Sequence, residues 1–141
     1  MQVAIHPLDG DDQLKLPYFE AGVNAGEPGY VSEYFESSIN LNRELVDNPK
    51  ASFCVRVAGQ SMVDAGIDDG DLLIVDRSRE PEDGQIILAV INGEYTVKRL
   101  KFRNGECFLQ PENKAYEPIR ITQFMDFRIW GVVTGLIKKV S

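Results

Sequence analysis

At 141 residues the chain is one domain long, too short for a second full-sized catalytic domain, and its 43% hydrophobic and 26% charged residues exclude wholesale disorder and disulfide-scaffold peptides. Fifteen basic residues against 22 acidic ones give a formal net charge of −7, the wrong sign for a stand-alone DNA or RNA binder, which gains affinity by neutralising phosphates. The acidity is concentrated in residues 1–50, where 9 acids meet 3 bases, so protein partners are expected and sequence-specific nucleic-acid binding is not.

Residues 1–50 are interrupted by Pro7, Gly10, Pro17, Gly22, Gly26, Pro28 and Gly29 and read as an extended acidic arm. Near its end Ile39, Leu41, Leu45 and Val46 precede Asn48-Pro49, a pattern that predicts one short helix or turn between about Ser38 and Asn48, closed by the restriction proline places on the residue before it. From Ala51 the texture becomes short β-type runs: Phe53 to Ala58, Leu72 to Val75, Ile86 to Ile91, Glu94 to Leu100, Cys107 to Gln110, Ile119 to Thr122 and Phe127 to Val133. Asp69-Gly70, Asp83-Gly84, Asn92-Gly93 and Asn104-Gly105 separate them, and Asn92-Gly93 joins two runs directly as a tight hairpin. The expectation is a mainly β protein of small twisted antiparallel sheets: an arm over residues 1–50 and a β-rich domain over residues 51–141.

The longest apolar run, Ile86 to Ile91, is far short of the ~20 residues that cross a bilayer, so no membrane association and a cytoplasmic location are expected. Cys54 and Cys107 lack C-x-x-C spacing and companion histidines, and read as reduced structural thiols. Trp130, in an alternating apolar run, reads as core. Phosphate-loop and dinucleotide glycine fingerprints are absent, as is metal-ligand spacing, so neither cofactor nor metal is expected.

The single histidine, His6, lies near the start of the arm, which disfavours a Ser-His-Asp triad and leaves serine with some other base. Ser61 follows Gly59-Gln60 where a strand ends, a place that can expose a hydroxyl beside backbone N–H groups able to face an oxyanion, although the local pattern taken alone favours a serine capping the next turn. In Tyr95-Thr96-Val97-Lys98-Arg99-Leu100, alternation puts Thr96, Lys98 and Leu100 on one face. A lysine desolvated among apolar neighbours loses its proton more readily and can take one from serine, whereas on an edge strand it is simply a solvated cation.

Three segments then carry a resemblance. Val57-Ala58-Gly59-Gln60-Ser61-Met62, Gly66-Ile67-Asp68-Asp69-Gly70-Asp71-Leu72-Leu73-Ile74-Val75-Asp76 and Gly93-Glu94-Tyr95-Thr96-Val97-Lys98-Arg99-Leu100 are similar, in order and in the 37-residue separation of Ser61 and Lys98, to the LexA/UmuD group of Ser-Lys self-cleaving proteins. The similarity covers most of residues 20–141, and the short arm resembles the UmuD-type members, with Ile39-Asn40-Leu41-Asn42 and Asn48-Pro49 in similar places.

The resemblance implies a LexA/UmuD C-terminal-domain-like fold, Ser61 as nucleophile, Lys98 as general base and the backbone at Ser61 and Met62 as oxyanion site. The bond it implies is cut joins a small residue to glycine, matched by Ala25-Gly26. It also implies a homodimer that serves, after cleavage stimulated by a RecA filament on single-stranded DNA, with a UmuC-like polymerase subunit in SOS translesion synthesis. Residues 1–50 are too short, acidic and rich in glycine and proline for the helix-turn-helix domain of the repressor members. Gln13-Leu14-Lys15-Leu16-Pro17-Tyr18-Phe19 resembles peptides that dock on a sliding clamp, with Pro17 replacing the aromatic residue. The competing readings are a non-enzymatic interaction module and a fragment of a LexA-like repressor.

Overall fold

The structure, a computed structural model, describes residues 3–7, 16–19 and 36–141. Ala25, Gly26 and the Gln13 to Lys15 part of the clamp-like peptide lie outside these residues. The chain divides into two compact units, Asp9–Asp47 and Met1–Leu8 together with Asn48–Ser141.

In the Asp9–Asp47 unit, β2 (Leu16–Phe19) pairs antiparallel with β3 (Glu36–Ile39), Leu16 opposite Ile39. A single helical turn and a little more follows, α1 (Leu41–Leu45). Asn40 starts it by accepting hydrogen bonds at Oδ1 from the Asn42 and Arg43 backbone N–H groups at 3.0 and 3.4 Å, satisfying donors that a helix start leaves unpaired. The helix is shorter than the expected Ser38 to Asn48 because Ile39 is spent in β3 and Val46 is already extended.

The other unit is an eight-stranded antiparallel sheet in the order β1-β4-β5-β10-β6-β7-β8-β9. Its strands are β1 (Val3–Pro7), β4 (Ser52–Val57), β5 (Leu72–Asp76), β6 (Ile86–Ile91), β7 (Glu94–Arg103), β8 (Glu106–Gln110), β9 (Ile119–Arg120) and β10 (Phe127–Ile137). One boundary differs from the sequence-based expectation: Val3–Pro7, within the presumed arm, pairs with β4 at the sheet edge, Ile5 opposite Val55. Pro7 is tolerated at that edge because no inner ladder needs its missing N–H.

β4 alternates as its sequence does, with Phe53, Val55 and Val57 buried and Arg56 exposed. β6 is apolar throughout because both of its faces are covered. Leu88 enters a cluster with Val55, Met62, Leu73, Val75 and Val97, whereas its neighbours Ile87 and Ala89 join Leu100, Leu109 and Val132. Burying each such aliphatic side chain stabilises the fold by about 2 kcal/mol. Asn92 and Gly93 both have positive φ, 50° and 85°, the conformation that closes the β6–β7 hairpin in two residues.

β10 passes from one half of the sheet to the other: Phe127 to Val132 lie along β6, and Val132 to Ile137 along β5. Register shifts at Ile129/Gly131 and Val133/Gly135 bend it between the two. Trp130 stands half-buried against the first cluster, edge-on to Phe53 and Tyr95 at 6.4 and 5.2 Å, with the Arg77 guanidinium 5.6 Å above its ring. Cys54 and Cys107 are free, half-buried thiols whose pKa is raised by burial.

Candidate active site

Ser61 and Lys98 arrive from opposite halves of the sheet. β4 ends at Val57, the chain turns at Gly59 (φ 104°), whose N–H is held by Asp69 Oδ1 at 2.8 Å, and Ser61 follows in the turn before a 3₁₀ segment at Val63–Ala65. Met62, fully buried in the first cluster, anchors that turn from beneath. Lys98 lies in the middle of β7, opposite Ile87 of β6.

The two side chains meet inside the protein. Lys98 Nζ donates to Ser61 Oγ at 3.0 Å, with Ser61 4% and Lys98 6% exposed. Nζ also donates to Thr96 Oγ1 at 2.7 Å and to the Val97 carbonyl at 3.1 Å. A neutral amine has two N–H donors and one lone pair. When Lys98 loses a proton, Thr96 and Val97 can keep the two remaining donors, and the lone pair then replaces the N–H that faces the serine. Burial lowers the Lys98 pKa to about 8, and among the described residues no carboxylate forms an ion pair that would oppose this.

The pair opens into a cleft of about 380 Å³, bordered by Gln60, Asn92, Glu94, Tyr116, Glu117 and Ile119 among others. Among the described residues, the Ser61 and Met62 backbone N–H groups are not used in backbone pairing, whereas the Ser61 carbonyl accepts from Glu112 N–H at 2.8 Å. The arrangement therefore offers a hydroxyl and an adjacent amine of reduced basicity at one end of a cleft. Ser61, Met62 and Lys98 are brought together; Ala25 and Gly26 fall outside the described residues. Reading the sequence missed Tyr116, Glu117, Asn92 and Glu94 as cleft residues and Glu112 as a neighbour of Ser61, since no local pattern marks a residue whose importance comes from chain folding. No group of three His, Cys, Asp or Glu side chains that could hold a metal exists among the described residues.

A serine paired directly with a lysine, on a β-sheet domain, defines the class of site. The family model described as Peptidase S24-like matches residues 17–134. Protein ImpA of Salmonella typhimurium is 39% identical over 130 residues, covering 92% of this chain and 88% of that protein. Protein MucA of the same organism is 38% identical over 136 residues, 95% of this chain and 92% of its own length. A LexA repressor of Caldicellulosiruptor saccharolyticus is 46% identical over 142 residues, 97% of this chain and 68% of the repressor. The chain belongs to the Peptidase S24-like family, and the resemblance read from its sequence holds at that level. Among the described residues no helix is long and apolar enough to cross a membrane.

Proposed function

We propose that the protein is a self-cleaving serine endopeptidase of Ser-Lys type that acts on its own arm. The observation that carries this reading is the buried 3.0 Å contact between Lys98 Nζ and Ser61 Oγ. Neutral Lys98 takes the Ser61 proton as Oγ attacks the Ala25 carbonyl, and the oxyanion is received by the Ser61 and Met62 N–H groups. The lysine then returns the proton to the Gly26 amine as it leaves, and water releases the acyl group from Ser61 with Lys98 again as base. Holding arm and dyad in one chain removes an encounter step, which contributes roughly 7–11 kcal/mol once the geometry is right.

In this reading cleavage is a switch. A RecA filament on single-stranded DNA stabilises the conformation with the arm in the cleft, and residues 26–141 then act as a homodimer with a UmuC-like polymerase subunit in cytoplasmic SOS translesion synthesis. Docking of Gln13 to Phe19 on a sliding clamp belongs to the same proposal. The acidic, proline- and glycine-rich composition of residues 1–50 supports this role over that of a repressor.

The test is incubation of the purified protein with RecA, ATP and single-stranded DNA, followed by N-terminal sequencing. A new terminus at Gly26 is expected. Gly26→Val, which hinders backbone approach to Ser61 without touching the dyad, is expected to remove it. A product beginning elsewhere overturns the placement of the bond, and no product overturns the switch.

A further inference from the structure

Ser61 is held from a second direction, by residues outside the cleft. The segment Pro111 to Asn113 lies along the Ser61 turn: Glu112 N–H donates to the Ser61 carbonyl and Asp64 N–H to the Glu112 carbonyl, both at 2.8 Å. Asn113 Nδ2 donates to the Gln60 carbonyl at 2.8 Å, and Glu112 N–H also lies 3.4 Å from Met62 Sδ. The part Glu112 plays in this bracket is not confined to its backbone. Its side chain ties it down: Arg99 Nε pairs with Glu112 Oε1, while Arg99 Nη1 donates to the Gly84 carbonyl at 2.6 Å.

Arg99 is the residue next to Lys98 on β7, so their side chains leave the strand on opposite faces. The Ser61 turn is thus gripped twice by neighbouring residues of one strand: at the hydroxyl by Lys98, and at the backbone by Arg99 through Glu112. We propose that Arg99 and Glu112 are positioning residues for self-cleavage, fixing the Ser61 backbone so that its hydroxyl stays within reach of Lys98 and water is kept from the amine. The inference rests on the Ser61–Lys98 reading above. Arg99 suits the task because a guanidinium fork serves the carboxylate and the Gly84 carbonyl together, which an ammonium cannot do.

The test compares Glu112→Gln, Arg99→Gln and Arg99→Lys with the full-length protein. Two rates are followed from pH 6 to 10: activator-free self-cleavage, and covalent labelling of Ser61 by a small fluorophosphonate, which does not depend on the arm. Both glutamine variants keep the bracket's backbone bonds and are expected to lose roughly tenfold to a hundredfold in both rates, the scale of a misplaced reacting group. Their rate midpoints are expected to move to higher pH as water reaches Lys98. The other titratable groups lining the cleft, Glu94, Tyr95, Tyr116 and Glu117, are unchanged in all three variants.

Arg99→Lys is expected to fall between wild type and Arg99→Gln. The double glutamine variant is expected to be no slower than the worse single one, because one tether is lost either way. Folded variants with wild-type labelling rate and midpoint, beside inactive Ser61→Ala and Lys98→Ala, overturn the positioning role and leave the dyad standing. Cleavage by Ser61→Ala overturns the dyad itself. If a glutamine variant unfolds, Arg99→Lys decides: unchanged labelling rate and midpoint overturn the proposal, and slowed labelling with a raised midpoint supports it.

Discussion

Thr96 and Lys98 stand at alternate positions of β7, and Thr96 Oγ1 accepts a hydrogen bond from Lys98 Nζ at 2.7 Å. The strand's own pleat therefore aims the amine at Ser61. With burial holding the Lys98 pKa at about 8, the sign of the pH dependence follows: only the neutral amine accepts a proton, and its fraction grows as pH rises. Activator-free self-cleavage is expected to gain about tenfold per pH unit below neutrality and to level off above roughly pH 9. A gel assay across pH 6–10 checks it, and a flat profile contradicts a base of this kind.

Ser61→Ala and Lys98→Ala are each expected to abolish cleavage. Ser61→Ala leaves the lysine bonded to Thr96 and Val97, so its fold and thermal midpoint should stay close to wild type. Lys101→Ala, three residues along β7 and absent from the cleft lining, should cleave normally. Equal loss in Lys98→Ala and Lys101→Ala would point to general electrostatics instead of a specific base.

Asp76 carries a different pH signature. Burial by itself would raise its pKa, but hydrogen bonds from Asn48, Ser78 and Arg79 outweigh that and hold it at about 2, below the ordinary 3.8. The carboxylate is 1% exposed, and Asn48 Nδ2 and Ser78 Oγ reach it at 2.7 and 2.6 Å. A folded-state pKa below the unfolded one contributes stability in full above about pH 4–5 and loses it as pH falls toward 2, in all about 2 kcal/mol. Urea unfolding at pH 7 and pH 2.5 should show Asp76→Asn less stable than wild type by about 2–3 kcal/mol at pH 7. The gap should be smaller at pH 2.5, and an equal gap at both pH values would contradict the assignment.

Gly131 lies where β10 crosses from β6 to β5. A Cβ there would sit 2.6 Å from Val75 Cγ1 and 2.8 Å from the Asp76 carbonyl oxygen, and the backbone atom cannot yield cheaply. Gly131→Ala is expected to destabilise by about 1–3 kcal/mol. At Gly135 the nearest atom is the end of the Ile74 side chain, at 3.0 Å, so Gly135→Ala should be milder. Thermal melts of both variants check the order.

Much of this was legible in the sequence, for reasons that differ by residue. The β6–β7 hairpin was readable because Asn92-Gly93 states a local geometry, and Ile86–Ile91 has the bounds its apolar run suggested. The Ser61–Lys98 pairing rested on resemblance, since nothing local to either residue says that they meet. β1 was missed because pairing Val3–Pro7 with β4 depends on contacts some fifty residues apart, while Pro7 argues locally against a strand. β2 and β3 were missed likewise, as Pro17 and the short serine-containing run at Glu36–Ile39 give no alternating signal. The Arg99–Glu112 tether was invisible for the same reason as the cleft rim: a salt bridge across a fold leaves no mark in either neighbourhood.

The last strand to be made, β10, is inserted in the middle of the sheet between β5 and β6. A chain emerging from the ribosome therefore displays Ser61 and Lys98 well before Phe127–Ile137 has left the exit tunnel, and the halves that carry them lack the strand that joins them. Under the proposed mechanism, the site is complete only once β10 has joined β5 and β6. A polypeptide that stops short of Phe127 is therefore expected to keep its arm uncut, by the order of its own synthesis.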